Sequence, residues 1–212
     1  PSENDIIDLD KLETYDPNEK IWFNPEDLDG KTVILKGEKY RVTRNRIEEI
    51  ENEEEIEVIN YSYSREGFGY TDWKPIEEGK FKEKLIFNTP GIYITHWKFK
   101  NYTIESKPVL INYFADWIKP TLEGEPAIKG QSAVTGDSFT VNIKAEDNIS
   151  PYLFYKTSDD EKWYLLKDGT NEITFTNIEK SSSGMQNKLT ITICDICGNT
   201  AKKTFTVWGI SQ

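Results

Sequence analysis

The sequence predicts an all-β protein built as two tandem antiparallel β-sandwiches, on three observations. The first is residue choice. Among 212 residues there are 24 Ile and 19 Thr but only 5 Ala and 11 Leu, so residues that suit a pleated strand greatly outnumber the best helix formers. The second is alternation: Phe139, Val141, Ile143 and Ala145 fall on one face of a strand, as do Leu189, Ile191 and Ile193. A period of two describes strands with one buried and one wet face. The third is an internal repeat at a spacing of about 95 residues, a length that fits one small sandwich of seven or so short strands.

The repeat is carried by two aromatic segments. Tyr61-Ser-Tyr-Ser-Arg-Glu-Gly-Phe-Gly-Tyr-Thr-Asp-Trp73 is followed by Gly79, and Phe154-Tyr-Lys-Thr-Ser-Asp-Asp-Glu-Lys-Trp163 by Gly169. Each has an aromatic strand, a polar turn, a Trp and a Gly six positions beyond it. Each is then followed by a strand, Phe81 to Phe87 or Ile173 to Ile178, and by an alternating closing pair. Val109-Leu-Ile-Asn-Tyr-Phe-Ala-Asp-Trp117 and Thr204-Phe-Thr-Val-Trp208 both close on Trp.

In chain order, residues 1–20 carry 7 acids and 2 lysines and read as an acidic leader or linker, in which Ile6, Ile7 and Leu9 are candidates for an edge strand. The first domain is expected at 21–117 and the second at 118–212. Ile118-Lys-Pro-Thr121 forms a short stiff junction, because Pro120 fixes its own φ and restricts Lys119. Asp29-Gly30, Pro90-Gly91, Asp168-Gly169 and Gly198-Asn199 mark turns. Glu48 to Glu57 is an acidic run that reads as a solvated loop or edge. Phe81, Glu83, Leu85 and Phe87 share a face, and the charge at Glu83 marks that strand as an edge. The chain begins at Pro1 and reads as a mature protein or a piece of a longer one. Its abundant Ile, Asn, Lys and Glu, with 22 Lys against 4 Arg, resemble the product of AT-rich bacterial codons.

Charge and hydropathy exclude several functions. A net charge of −11 repels phosphate backbones, and no Lys/Arg cluster offsets it, so nucleic acid is not a partner. No apolar run approaches the roughly 20 residues of a membrane helix, and the mean hydropathy is −0.65.

Ala145-Glu-Asp147-Asn148 at a strand end, Tyr155 followed by Trp163, and Ile193-Cys-Asp195-Ile-Cys-Gly198-Asn199 before the last strand resemble bacterial immunoglobulin-like modules, which occur in tandem in secreted and surface-anchored proteins. In the first domain the match is Asn88-Thr-Pro90-Gly91-Ile-Tyr93-Ile. The likeness runs over roughly residues 55–210. The first domain departs from it in having Lys100-Asn-Tyr-Thr103 where the second has its Asp-x-x-Gly-Asn hairpin. The resemblance implies two immunoglobulin-like sandwiches in an extracellular or cell-surface setting. The roles it implies are non-catalytic spacer, stalk or adhesin, or accessory module of a polysaccharide-active enzyme, with surface proteins or glycans as partners. It also implies that Tyr93 turns inward and bonds nearby backbone, as in a tyrosine corner.

Candidate chemistry is sparse. Cys194-Asp-Ile-Cys197 is the only cysteine pair. A zinc site would need two further ligands, and a redox role would need a helix N-terminus, whereas this pair lies between strands. Spacing of i to i+3 across a turn meets disulfide geometry in an oxidising setting, and two unlinked thiols are the other reading. His96, the sole histidine, lies in a strand without a nucleophile motif. Two facing carboxyl groups suffice for a glycosidase, and Glu66, Asp72, Glu77 and Glu83 near Trp73 are candidates, although two small sandwiches leave no long concave sheet. Calcium suits the hard oxygens of Asp147, Asn148, Asp159, Asp160 and Asp195 at one end of the second domain, without EF-hand spacing and against a reading as solvated loop acids. Trp73 with Tyr61, Tyr63 and Tyr70 makes a candidate sugar-stacking platform. The equivalence of Trp73 and Trp163 favours a core role instead, because a core Trp recurs whenever a sandwich is duplicated.

Overall fold

The computed structural model describes residues 6–51, 60–64, 69–77, 79–101 and 104–212. The chain divides into two compact units, the first comprising Pro1–Asp10 and Asp29–Trp117 and the second Lys11–Leu28 and Ile118–Gln212. The sequence suggests a leader or linker to residue 20 and a domain from 21, whereas contacts group residues 6–10 with the first unit and 11–28 with the second. Ile6–Asp8 is a strand of the first unit, and residues 11–28 belong to the second.

The first unit contains β1 (Ile6–Asp8), β2 (Thr32–Leu35), β3 (Glu38–Thr43), β4 (Ile47–Glu51), β5 (Asn60–Ser64), β6 (Lys74–Pro75), β7 (Lys82–Ile86), β8 (Gly91–Asn101), β9 (Ile104–Glu105) and β10 (Val109–Ala115). One sheet runs β1-β2-β3-β10-β8-β5-β6 with β9 paired to β8, and a second pairs β4 with β7. Alternation decides the faces. Trp97 of β8, with Tyr93 and Phe99, and Tyr113 and Ala115 of β10 enter a core with Ile50, Tyr61, Phe81, Leu85 and Phe87. The β2–β3 hairpin turns through Lys36 at φ 51° and Gly37 at φ 77°, the left-handed pair that a two-residue turn demands. The Asp10 carboxylate accepts both turn N–H groups, at 2.6 and 2.9 Å.

The acidic run begins as a strand, with Ile50 buried in the core and Glu49 3.5 Å from Lys82 on β7; residues 52–57 lie outside the described residues. Glu83 of β7 faces inward rather than into solvent. Its carboxylate accepts the Tyr61 hydroxyl at 2.6 Å and pairs with Lys74 Nζ at 2.5 Å, so the strand keeps its inward alternation with a neutralised charge. The Tyr93 hydroxyl donates to the Thr89 carbonyl at 2.5 Å, the contact expected of a tyrosine corner.

The second unit contains β11 (Thr121–Pro126), β12 (Ala133–Val134), β13 (Phe139–Glu146), β14 (Phe154–Thr157), β15 (Tyr164–Leu165), β16 (Thr170–Phe175), β17 (Met185–Cys194) and β18 (Thr200–Gly209). Sheet β11-β13-β16 faces sheet β12-β18-β17-β14-β15. Phe139, Val141, Ile143, Ile173, Phe175, Ile191, Ile193 and Val207 fill the space between them. The order β12-β18-β17-β14-β15 repeats β3-β10-β8-β5-β6 of the first unit, including the parallel first pair. The pair β13-β16 repeats β4-β7. This is the strand order of an immunoglobulin-like sandwich, present twice, and the resemblance to bacterial tandem modules holds at the level of fold. The two closing Trp residues are not equivalent, because Trp117 packs on the first core whereas Trp208 faces outward, 44% exposed.

Residues 11–28 lie along the second unit. The Ile21 N–H donates to the Trp163 carbonyl at 2.9 Å. The Phe23 ring meets Phe154 of β14 edge-on at 5.4 Å, and Glu26 pairs with Lys156 of β14 at 3.3 Å. A 3-10 turn at Pro25–Asp27 is capped by the Asn24 side chain. At Gly198 (φ 91°) an added Cβ would stand 3.2 Å from the Glu26 carbonyl oxygen, so both backbone angle and space favour glycine there.

Candidate functional site

The four aromatics of the candidate platform do not share a face. Tyr61 and Tyr63 alternate with Ser62 on β5 and point into the first core. Tyr61 is buried beside Phe81, and Tyr63 stacks on Trp97 at 5.0 Å and 21°. Burial, then the hydrogen bond to Glu83, pushes the Tyr61 phenol above its ordinary value. Tyr70 and Trp73 stand on the opposite side, beside the outward lysines of β8. Lys98 Nζ lies 4.0 Å from the Tyr70 ring and Lys100 Nζ 4.5 Å from the Trp73 ring. Both rings are half-buried.

The segment carrying those rings is tied to β5 through Thr71. Ser62 Oγ donates to the Thr71 carbonyl at 2.6 Å, and the Thr71 N–H donates to the Tyr63 carbonyl at 3.0 Å. Farther along the same outer face, Ile92, Ile94 and His96 of β8 neighbour Leu110 and Asn112 of β10, with Ile92 52% and Leu110 54% exposed. The sequence reading missed Lys98 and Lys100. Alternation with the inward Trp97 and Phe99 was the signal that placed them outward.

The candidate carboxylates of the first unit do not assemble a catalytic pair among the described residues. Glu66 lies outside those residues, and Asp72 and Glu77 are exposed. Glu83 is engaged by Tyr61 and Lys74. His96 has Ser64 and Leu110 in register, with no carboxylate in register to orient its imidazole.

In the second unit the β17–β18 turn is organised by Asp195, which is wholly buried. Its Oδ1 accepts the Cys197 and Asn199 N–H groups at 2.9 Å each, and its Oδ2 accepts the Asn199 amide at 2.9 Å. Ser150 joins this turn to the β13–β14 loop, since its Oγ accepts the Ile196 N–H at 3.1 Å and its own N–H donates to Asp147 at 2.8 Å. Of the calcium candidates, Asp147 and Asp195 bring ligand oxygens within 4.8 Å of each other. Asp159 and Asp160 sit past the far end of β14, where Asp159 accepts the Thr176 N–H at 2.9 Å and Asp160 the Tyr164 hydroxyl at 2.7 Å. That bond, then burial, pushes the Tyr164 phenol up to about 12. Cys194 and Cys197 are wholly buried, with Cys194 Sγ 3.3 Å from the Asp195 carbonyl oxygen. Trp163 is buried, 7% exposed, with Lys156 Nζ 5.2 Å from its ring. A cleft of about 630 Å³ lies between residues 12–17 and the loops flanking β13 and β15, lined among others by Leu12, Tyr15, Tyr152, Leu165, Glu13 and Glu146.

No protein-family model matches the chain, and no curated protein matches it. Among solved structures, the fibronectin(III)-like modules of Clostridium thermocellum CbhA are similar at 12% identity, covering 77% of this chain and 86% of that one with a TM-score of 0.46. The D0-D1 domain of Intimin is similar at 14% identity, covering 78% of this chain and 93% of that one with a TM-score of 0.29. The fold assignment rests on the strand order of the two units.

Proposed function

We propose that the chain is a non-catalytic module of a bacterial extracellular or cell-surface protein, serving adhesion, assembly or spacing. The observation that carries this reading is how the duplicated sandwich uses its aromatics. Tyr61, Tyr63, Trp97 and Trp163 go to packing, and the polar groups best placed for chemistry, Glu83 and Asp195, hold structure. Among the described residues no helix is long and apolar enough to cross a membrane. A second reading, an accessory carbohydrate-binding module, is favoured by one observation: Tyr70 and Trp73 stand together with two lysines outside the core. A glycan array probed with the labelled protein separates the two. Silence across the array supports a spacer or a protein-binding role, and retention on a defined glycan class moves the chain to the carbohydrate-binding reading.

A further inference from the structure

We propose that the outer face of β8 in the first unit, centred on Lys98, Lys100, Tyr70 and Trp73, binds acidic glycan chains. The inference rests on the carbohydrate-binding reading and names its ligand class. Lys98 and Lys100 leave the same face of one strand two residues apart, a spacing of roughly 6.6 Å along the chain. Each ammonium is held against an aromatic ring, at 4.0 and 4.5 Å, and among the described residues neither makes an ion pair. Two cations thus stay available in a chain whose net charge is −11.

The rings are positioned in advance. Thr71 is locked to Ser62 and Tyr63, so Tyr70 and Trp73 are held without waiting for a ligand, which lowers the ordering cost of binding. Rings offer a sugar's C–H face a stacking surface, and ammonium groups beside them select a sugar bearing a carboxylate, sulfate or phosphodiester. Two acids belong to the same neighbourhood of the chain: Glu105, in register with Lys100, and the exposed Asp72, which precedes Trp73 in sequence. Carboxylates there accept hydroxyl hydrogen bonds but repel other carboxylates. A ligand rich in hydroxyls with spaced acid groups fits this mixture, and an acidic peptide does not. The face continues past His96 to the uncharged Ile94, Leu110 and Asn112, which leaves room for further sugar units.

The test is affinity electrophoresis of the whole chain through gels containing hyaluronan, polygalacturonate, neutral dextran or poly-L-glutamate, at roughly 50 and roughly 500 mM NaCl. Both acidic polysaccharides are expected to retard the protein and dextran not to, with retardation weakening at high salt. Lys98→Met/Lys100→Met keeps the stems and removes the charges. It is expected to melt like the parent and to bind about tenfold more weakly or worse. Trp73→Ala is expected to lose affinity at both salt concentrations. No retardation by either acidic polysaccharide would overturn the proposal, as would unchanged retardation of the double variant. If the variant still binds a glycan, the carbohydrate-binding reading stands and this site does not. Retardation by poly-L-glutamate equal to that by hyaluronan would make the face an acidic-peptide site and likewise overturn it.

Discussion

Phe23→Ala probes the segment that joins the second unit from far upstream in sequence. Phe23 is half-buried and meets the wholly buried Phe154 edge-on at 5.4 Å. Full truncation of a core Phe costs about 3 to 5 kcal/mol. Because Phe23 is only partly buried, and its pair with Phe154 is lost within that same truncation, the loss lies below the full-core range, at about 2 kcal/mol. Hydrogen exchange followed by mass spectrometry reads this locally. At about 1.4 kcal/mol per decade, amides of β14 and β17 are expected to exchange roughly thirtyfold faster wherever their protection depends on the segment. Amides of β8 and β10 in the first unit should hold their rates. Protection in β14 and β17 unchanged within about threefold, or lost equally in both units, would refute the packing of residues 11–28 on the second unit.

Other outcomes follow from the same geometry. Trp163→Ala is expected to cost about 3 to 5 kcal/mol in denaturant melts; a variant that melted like the parent but lost glycan binding would make Trp163 a ligand platform instead. If the protein is secreted, Cys194 and Cys197 are expected to join as a disulfide when it is purified without reductant, so a chromogenic thiol count under denaturing conditions should find none. Two titrating thiols with stoichiometric zinc would point to a metal site. Tyr164 is pushed up to about 12, chiefly by its bond to Asp160, while unfolded phenols lose their proton near about pH 10. Its contribution to stability is therefore whole below pH 10 and is lost as pH rises toward 12. Ultraviolet titration of the parent minus Tyr164→Phe should show this late step, and a difference midpoint near 10 would refute the Asp160 contact.

Strands with one buried face were legible because their alternation is strict. Phe139 to Ala145 and Leu189 to Ile193 fell as expected into β13 and β17, and the Trp-to-Gly segments marked the equivalent strands β6 and β15. Residues 11–28 were not legible. Leu12, Ile21 and Phe23 anchor singly from turns without a period, and the acids around them resemble a solvated leader. Glu83 marked an edge, and among the described residues β7 does pair with β4 alone; that the carboxylate turns inward was not legible, because only the structure supplies Lys74 and Tyr61. The four aromatics of the platform divide on the period of two itself. With Ser62 turned outward toward Thr71, Tyr61 and Tyr63 must face the core, so only Tyr70 and Trp73, beyond the end of the strand, stand outside it. Asp147 and Asp195 meet because the β13–β14 loop and the β17–β18 turn are neighbours in the fold, while Asp159 and Asp160 follow β14 to its other end.

Whether the chain cleaves glycosidic bonds, the one catalytic reading its carboxylates suggest, is decided by reducing-end release from a panel of neutral and acidic polysaccharides during long incubation with the intact protein. The expected result is no release above the buffer blank, alongside whatever binding the array detects. Sustained release, abolished by Glu83→Gln or Asp72→Asn in variants that still melt like the parent, would contradict a non-catalytic module.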